Sequence, residues 1–316
     1  MLWSSGERTM TSTAIESTGL TKDYGSGRGL FDLDLTVAEG EVFGYLGPNG
    51  AGKTTTIRLL MDLIHPTAGA ARIFGLDCHS DAVEIKRHIG YVPGELPQFG
   101  GLRGNEIVAY MAGLRGGVDE RVVSNLCERF QLDLGQRFRE YSRGNKQKLA
   151  VVLGFMHQPR LLVLDEPTGG LDPLNQQEFY DMCKEAKAAG ATVFLSSHIL
   201  SEVEHISDRV AIIRSGRLIR LAKIHELHEM RVHHVEIEFN GEVPLDGIRA
   251  AEGVDNVAAA DHRVTCVVRG SFEPLMKALS SSEVANLTSH EPNLEEVFLA
   301  YYRDGSEPVA AGATAG

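Results

Sequence analysis

The sequence predicts an α/β fold, a largely parallel sheet flanked by helices over residues 15–230, with a small α+β domain over residues 231–304. Three observations predict it. Between residues 14 and 221 short apolar runs alternate with amphipathic segments, the rhythm of helices laid on a parallel sheet. Within that stretch, Gly47-Pro48-Asn49-Gly50-Ala51-Gly52-Lys53-Thr54 fits G-x-x-x-x-G-K-[ST] and lies between an apolar run and a helical pattern. Beyond residue 230, Val235-Glu236-Ile237-Glu238-Phe239 alternates apolar and charged residues, as a half-buried strand of a separate unit should.

Taken in order, residues 1–14 read as a flexible leader. Their only charges are Glu7 and Arg8, and they hold no apolar core of the kind a secretory signal needs. Residues 41–46 read as a strand, followed by the Gly-rich turn and a helix over 53–64. His65-Pro66-Thr67-Ala68-Gly69 stops that helix, because Pro and Gly continue it only at a cost. Residues 161–164 and 192–195 are solid apolar runs of the buried-strand type. Residues 209–214 and 217–221 form a predicted hairpin around Ser215-Gly216. In the second unit, strands are expected at 235–239 and 263–268 and helices at 273–279 and 293–302, the last with Pro292 near its start. Residues 305–316 are small, lack large apolar side chains and read as a disordered tail. No internal repeat is visible.

Composition narrows the class. Apolar residues make up 43% and charged residues 23% of 316, as in ordinary globular proteins. The longest apolar stretch, 149–156, is far short of the run of about 20 that spans a bilayer. A net charge of −12 argues against a nucleic-acid partner. Cys78, Cys127, Cys183 and Cys266 are widely spaced and form no C-x-x-C pair, so a zinc site or disulfide framework is not expected.

The chemistry sits in four places. In the loop of residues 47–54, glycines let successive N–H groups turn inward on phosphate oxygens, and the following helix N-terminus adds positive dipole. Lys53 is placed to bridge the β- and γ-phosphates and the Thr54 hydroxyl to ligate Mg²⁺, with Thr55 next along the helix. Leu161-Leu162-Val163-Leu164-Asp165-Glu166 is a buried strand ending in two acids. Asp165 is the expected metal carboxylate and Glu166 the base that polarises an attacking water. His198, at the end of the 192–197 run, is a candidate contact to the γ-phosphate. Tyr24 is an aromatic in a loop ahead of the first nucleotide-site strand.

A phosphate-binding loop alone leaves GTPases, kinases and ATPases open. The guanine-reading Asn-Lys-x-Asp is missing, since Asn145-Lys146-Gln147-Lys148 lacks the Asp. Tyr141-Ser142-Arg143-Gly144-Asn145-Lys146-Gln147-Lys148-Leu149 precedes the helix leading to the acidic strand. Here the chain resembles the ATP-binding-cassette ATPases, whose signature reads LSGGQ before a basic helix. Gly169-Gly170-Leu171-Asp172-Pro173 is similar to that family's D-loop. The resemblance runs from about residue 15 to 221. It implies a P-loop NTPase cassette with a helical subdomain, ATP and Mg²⁺ as ligands, and a homodimer paired head to tail. Tyr24 would stack on adenine, while Ser142 and Gly144 of one copy would cap the γ-phosphate held by Gly47 to Thr54 of the other, near Asp172. It also implies an integral-membrane permease partner docked near residues 94–115, on the cytoplasmic face of the membrane.

Two departures stand out. Arg143 and Asn145 replace Gly and Gln of the signature. After Tyr91-Val92-Pro93 comes Gly94-Glu95 rather than the Q-loop glutamine, with the first Gln at 98, so Glu95 is the expected polar group near Mg²⁺. Both variants, and Glu291-Pro292-Asn293-Leu294-Glu295-Glu296-Val297-Phe298, are similar to cassettes of two-component bacterial drug and antibiotic exporters. The expected function is therefore energising efflux of drugs, antibiotics or lipids. An importer ATPase, a soluble cassette ATPase of DNA repair or translation, and a non-enzymatic docking subunit are the alternatives. Intact Lys53, Asp165, Glu166 and His198 speak against the last.

Overall fold

The computed structural model describes residues 12–229 and 232–290. The helix expected at 293–302, the tail and most of the leader lie outside them. The chain divides after Leu221 into two compact units.

The first unit holds two sheets, with strands numbered along the chain. One contains β1 (Thr13–Asp23), β2 (Gly29–Ala38), β4 (Ala68–Ile73) and β5 (Leu76–Asp77), in the order β2-β1-β4-β5. The pairs β1–β2, β1–β4 and β4–β5 are all antiparallel. This layer corrects the expectation of one largely parallel sheet. Its strands carry Gly, Ser and Thr in place of solid apolar runs, so only every second residue is buried, as for a sheet with one wet face. It also corrects the leader's boundary, since Thr13 begins β1 and Ala14 is fully buried.

The second sheet contains β3 (Val42–Leu46), β6 (Ile89–Val92), β7 (Leu161–Asp165), β8 (Thr192–Ser197), β9 (Arg209–Arg214) and β10 (Arg217–Lys223), in the order β10-β9-β3-β8-β7-β6. From β9 through β6 every pairing is parallel. Its central strands are buried throughout, and alternate residues serve two cores. Phe43, Tyr45, Leu161, Val163 and Phe194 face the antiparallel layer. Val42, Leu162, Leu164, Val193 and Leu195 pack into a helical layer. That layer includes α3 (Gly104–Gly113), α4 (Glu120–Arg129), α5 (Arg143–Phe155) and α6 (Pro173–Ala188). The unit is completed by α1 (Lys53–Leu60), α2 (Ala82–His88) and α7 (Leu200–Ile206).

Helix α1 ends at Leu60, before the expected stop at His65. Asp62 takes a left-handed conformation (φ 48°), while its N–H donates to Leu59 O and that of Leu63 to Arg58 O. This is a Schellman closure with Asp where glycine is usual.

The second unit contains α8 (Ile224–Glu229), α9 (Leu245–Ala250) and α10 (Glu273–Leu279) with β11 (Val232–Phe239), β12 (Val254–Ala260), β13 (Arg263–Arg269) and β14 (Val284–His290). Its sheet runs β12-β13-β11-β14 with antiparallel pairings. Val235, Ile237, Val264, Cys266 and Val268 pack with Ile248, Leu275 and Leu279 into a core of their own.

Candidate nucleotide site

Parallel pairing brings the carboxyl ends of β3, β8 and β7 to one edge, where ligands of open α/β sheets bind. The glycine-rich loop leaves β3, His198 follows β8, and Asp165 and Glu166 follow in β7's direction. Strand β8 lies between the loop's strand and the acidic strand, yet Glu166 still reaches the loop's lysine.

The loop is shaped by close approaches. A Cβ on Gly47 would stand 2.4 Å from Ile213 O, and Gly52, which caps α1, has φ 112°. The first-turn N–H groups of α1 have no acceptor within the helix and point at the loop. Lys53 is 5% exposed and donates to Gly47 O (2.6 Å) and Pro48 O (3.2 Å). Its ammonium also pairs with Glu166 Oε1 at 3.1 Å.

Glu166 is held from several sides. Its backbone is left-handed (φ 48°), and its N–H donates to Ser196 O (3.1 Å) and Ser196 Oγ (3.2 Å). Oε2 lies 3.1 Å from His198 Nδ1. The neighbouring Asp165 is buried and accepts from Ser196 Oγ at 2.7 Å. Ser196 thus fixes both acids. Sequence reasoning passed over it because nothing but the β7–β8 register, which sets Asp165 opposite Ser196, reveals the pairing. Tyr91, which the sequence showed only as part of a strand end, also comes near this acid: burial and the Asp165 carboxylate push its phenol up to about 12.

A cleft of about 470 Å³ is lined by Tyr24, Arg28, Asn49, Gly50, Gly52, Lys53, Thr54, Thr55 and Glu166, among others. It brings together most of the expected contacts from the loop, with Tyr24 half exposed on the turn between β1 and β2. Arg28 and Ser215, also in its lining, carried no sequence signal. Ser142, Gly144 and Asp172 do not line it. Ser142 caps α5 by accepting from Asn145 N (3.1 Å). Asp172 caps α6, and the Asn175 N–H groups hold its carboxyl below the usual range. These two loops touch: a Cβ on Gly144 would lie 2.8 Å from Gly170 O, and Gly170 lies under the Arg143 side chain. Gln147 ties them further by donating to Pro167 O at 2.8 Å. Glu95 is exposed and follows Gly94, which lies against Asp165.

A glycine-rich loop on one strand end, whose lysine meets the carboxylate next to a buried acid, defines a P-loop nucleotide hydrolase. The family described as ABC transporter matches residues 30–169. The chain is similar to the bacitracin transport ATP-binding protein BcrA of Bacillus licheniformis, 38% identical over 72% of this chain and 76% of that one. It is 33% identical to the daunorubicin/doxorubicin resistance ATP-binding protein DrrA of Streptomyces peucetius, over 92% and 93% of the two chains. A solved ATP-binding subunit of an ABC transporter superposes with a TM-score of 0.64 at 31% identity, over 68% of this chain and 92% of that one. The chain belongs to the ABC transporter family, as an ATP-binding and ATP-hydrolysing cassette resembling those of drug exporters. Such cassettes dimerise and work with membrane permeases. Among the described residues no helix is long and apolar enough to cross a membrane.

Proposed function

We propose that this chain energises efflux of an amphipathic drug, antibiotic or lipid through a separate integral-membrane permease, as a homodimer on the cytoplasmic face of the membrane. The observation that carries the reading is the Glu166 carboxylate, held between the Lys53 ammonium and the His198 ring beside the phosphate loop. Relatives named for bacitracin transport and for daunorubicin/doxorubicin resistance support the direction and the cargo class.

In this reading the N–H groups from Gly47 to Thr55 hold the phosphates, Tyr24 stacks on the adenine, and Lys53 moves from Glu166 to the γ-phosphate. Glu166 then accepts a proton from the attacking water, with His198 fixing its second oxygen and contacting the γ-phosphate. Thr54 and the buried Asp165 are hard oxygen donors of the kind Mg²⁺ requires, and Glu95, exposed and following the Gly94 that lies against Asp165, would join through water. The ion supplies charge neutralisation at the β- and γ-phosphates. Ser142 and Gly144 of the partner copy cap the γ-phosphate, with Asp172 near the same contact.

The test is ATP turnover by the purified chain with its permease. Glu166→Gln should lower kcat by about 100-fold or more while ATP still binds. Full turnover in that variant would remove Glu166 from the role of base.

A further inference from the structure

Away from the nucleotide cleft, we infer that Asp62, His65 and His79 form a surface binding site for a divalent transition-metal ion of the zinc type. The two imidazoles converge on a single carboxylate oxygen: His79 Nδ1 lies 2.9 Å and His65 Nδ1 3.3 Å from Asp62 Oδ1. The three donor atoms all fall within 4.8 Å of one another. Two ligands bonded to a tetrahedral zinc ion at about 2.0–2.1 Å stand about 3.3 Å apart. The donors therefore need to shift by only a fraction of an ångström to one or two ångströms to take an ion between them.

The backbone positions are fixed before any ion arrives. Asp62 is the left-handed residue that closes α1. The carbonyl of His65 accepts from Lys22 Nζ at 2.8 Å, and the His79 N–H donates to Asp77 Oδ1 at 3.0 Å. The rings themselves are about two thirds exposed and lie edge to face, their centroids 4.5 Å apart. They can thus turn without disturbing the core. Both sit at the mouth of an open cleft of about 340 Å³ that Asp77 also lines.

The donor chemistry selects the ion. Two imidazoles and one carboxylate suit zinc, nickel or copper, whereas Mg²⁺ prefers oxygen alone. Cys78 lines the same cleft but is buried and stands outside the set of three converging donor atoms. A neutral imidazole carries one N–H; moving it from Nδ1 to Nε2 frees Nδ1 for the metal, so the ion replaces the His79–Asp62 hydrogen bond and the longer His65–Asp62 contact. One or more coordination positions face solvent and are left to water. The bound ion would link the end of α1 to the segment after β5, two parts of the first unit separated by β4.

The experiment titrates Zn²⁺ into the full chain, without nucleotide, in competition with a chromophoric chelator. One tight zinc is expected per chain, with affinity reduced at least about tenfold in His79→Ala and in Asp62→Asn. Asn tolerates the left-handed backbone at 62, so that variant keeps the α1 closure. His225→Ala, exposed and far along the sequence, controls for incidental binding by other histidines and should bind as the parent does. Zinc should also raise the melting temperature of the parent and not of His79→Ala, while Mg²⁺ does neither. Equal zinc affinity in the parent, His79→Ala and Asp62→Asn would reduce the cluster to a set of surface hydrogen bonds and overturn the inference, as would no zinc binding at all.

Discussion

At the scale of single residues, histidines show how far environment overrides composition. His198 and His157 look alike in the sequence, yet one faces the Glu166 carboxylate and the other is enclosed beneath β6. The His157 Nε2 donates to Ile89 O at 3.1 Å, and its Nδ1 is buried without a partner among the described residues. Burial, with repulsion from Arg115, pulls the imidazole down to about 4. The unfolded chain takes up this proton near pH 6.5 and the folded chain only near 4, so stability is present above 6.5 and is lost as the pH falls between those values. The loss from this residue amounts to roughly 2–3 kcal/mol. His157→Gln should therefore flatten the acid limb, its urea midpoint falling less than the parent's between about pH 6.5 and 4.5. Equal losses in both would assign the acid sensitivity elsewhere. The sequence marked His198 by its place at the end of the 192–197 run but not His157, because neither burial nor Arg115, 42 positions upstream, leaves a local pattern. The loop from Gly47 to Thr54 was legible for the opposite reason: its conformation is set by residues adjacent in the chain.

At the scale of elements, the helix that carries the signature loop is seated by two glycines. A Cβ on Gly90, in β6, would stand 2.1 Å from Gly154 O, and one on Gly154, in α5, would stand 2.6 Å from Val92 Cγ2. The helix and strand touch backbone to backbone, a contact that a methyl group on either side would wedge apart. Gly90→Ala should cost about 1–3 kcal/mol in urea unfolding, chiefly by lifting α5. An unchanged midpoint would show that the strand yields without loss. The parallel strands were readable because their solid apolar runs have no other use in a soluble fold. The antiparallel layer was not, since β1 and β4 mix Thr, Ser, Gly and Ala with few apolar residues and pair only across the intervening β2, β3 and α1, with Ile15 opposite Ile73. The length of α1 was overestimated because Asp62, rather than a glycine, occupies the left-handed closing position.

At the scale of the whole molecule, two units carry separate cores. Units cored independently have no reason to unfold together. Calorimetry of the full chain should resolve two transitions, the smaller belonging to the unit built from β11 to β14 and its helices. One symmetric transition with matching calorimetric and van't Hoff enthalpies would contradict that. The paired carboxylate at the nucleotide edge has a further consequence for the assembly. One oxygen of Glu166 is engaged by Lys53 and the other by His198, so both oxygens already have a side-chain partner. In the function proposed above, a γ-phosphate that draws Lys53 away would also release Glu166 to act as base. On that reading the substrate itself would remove the cation that occupies the carboxylate.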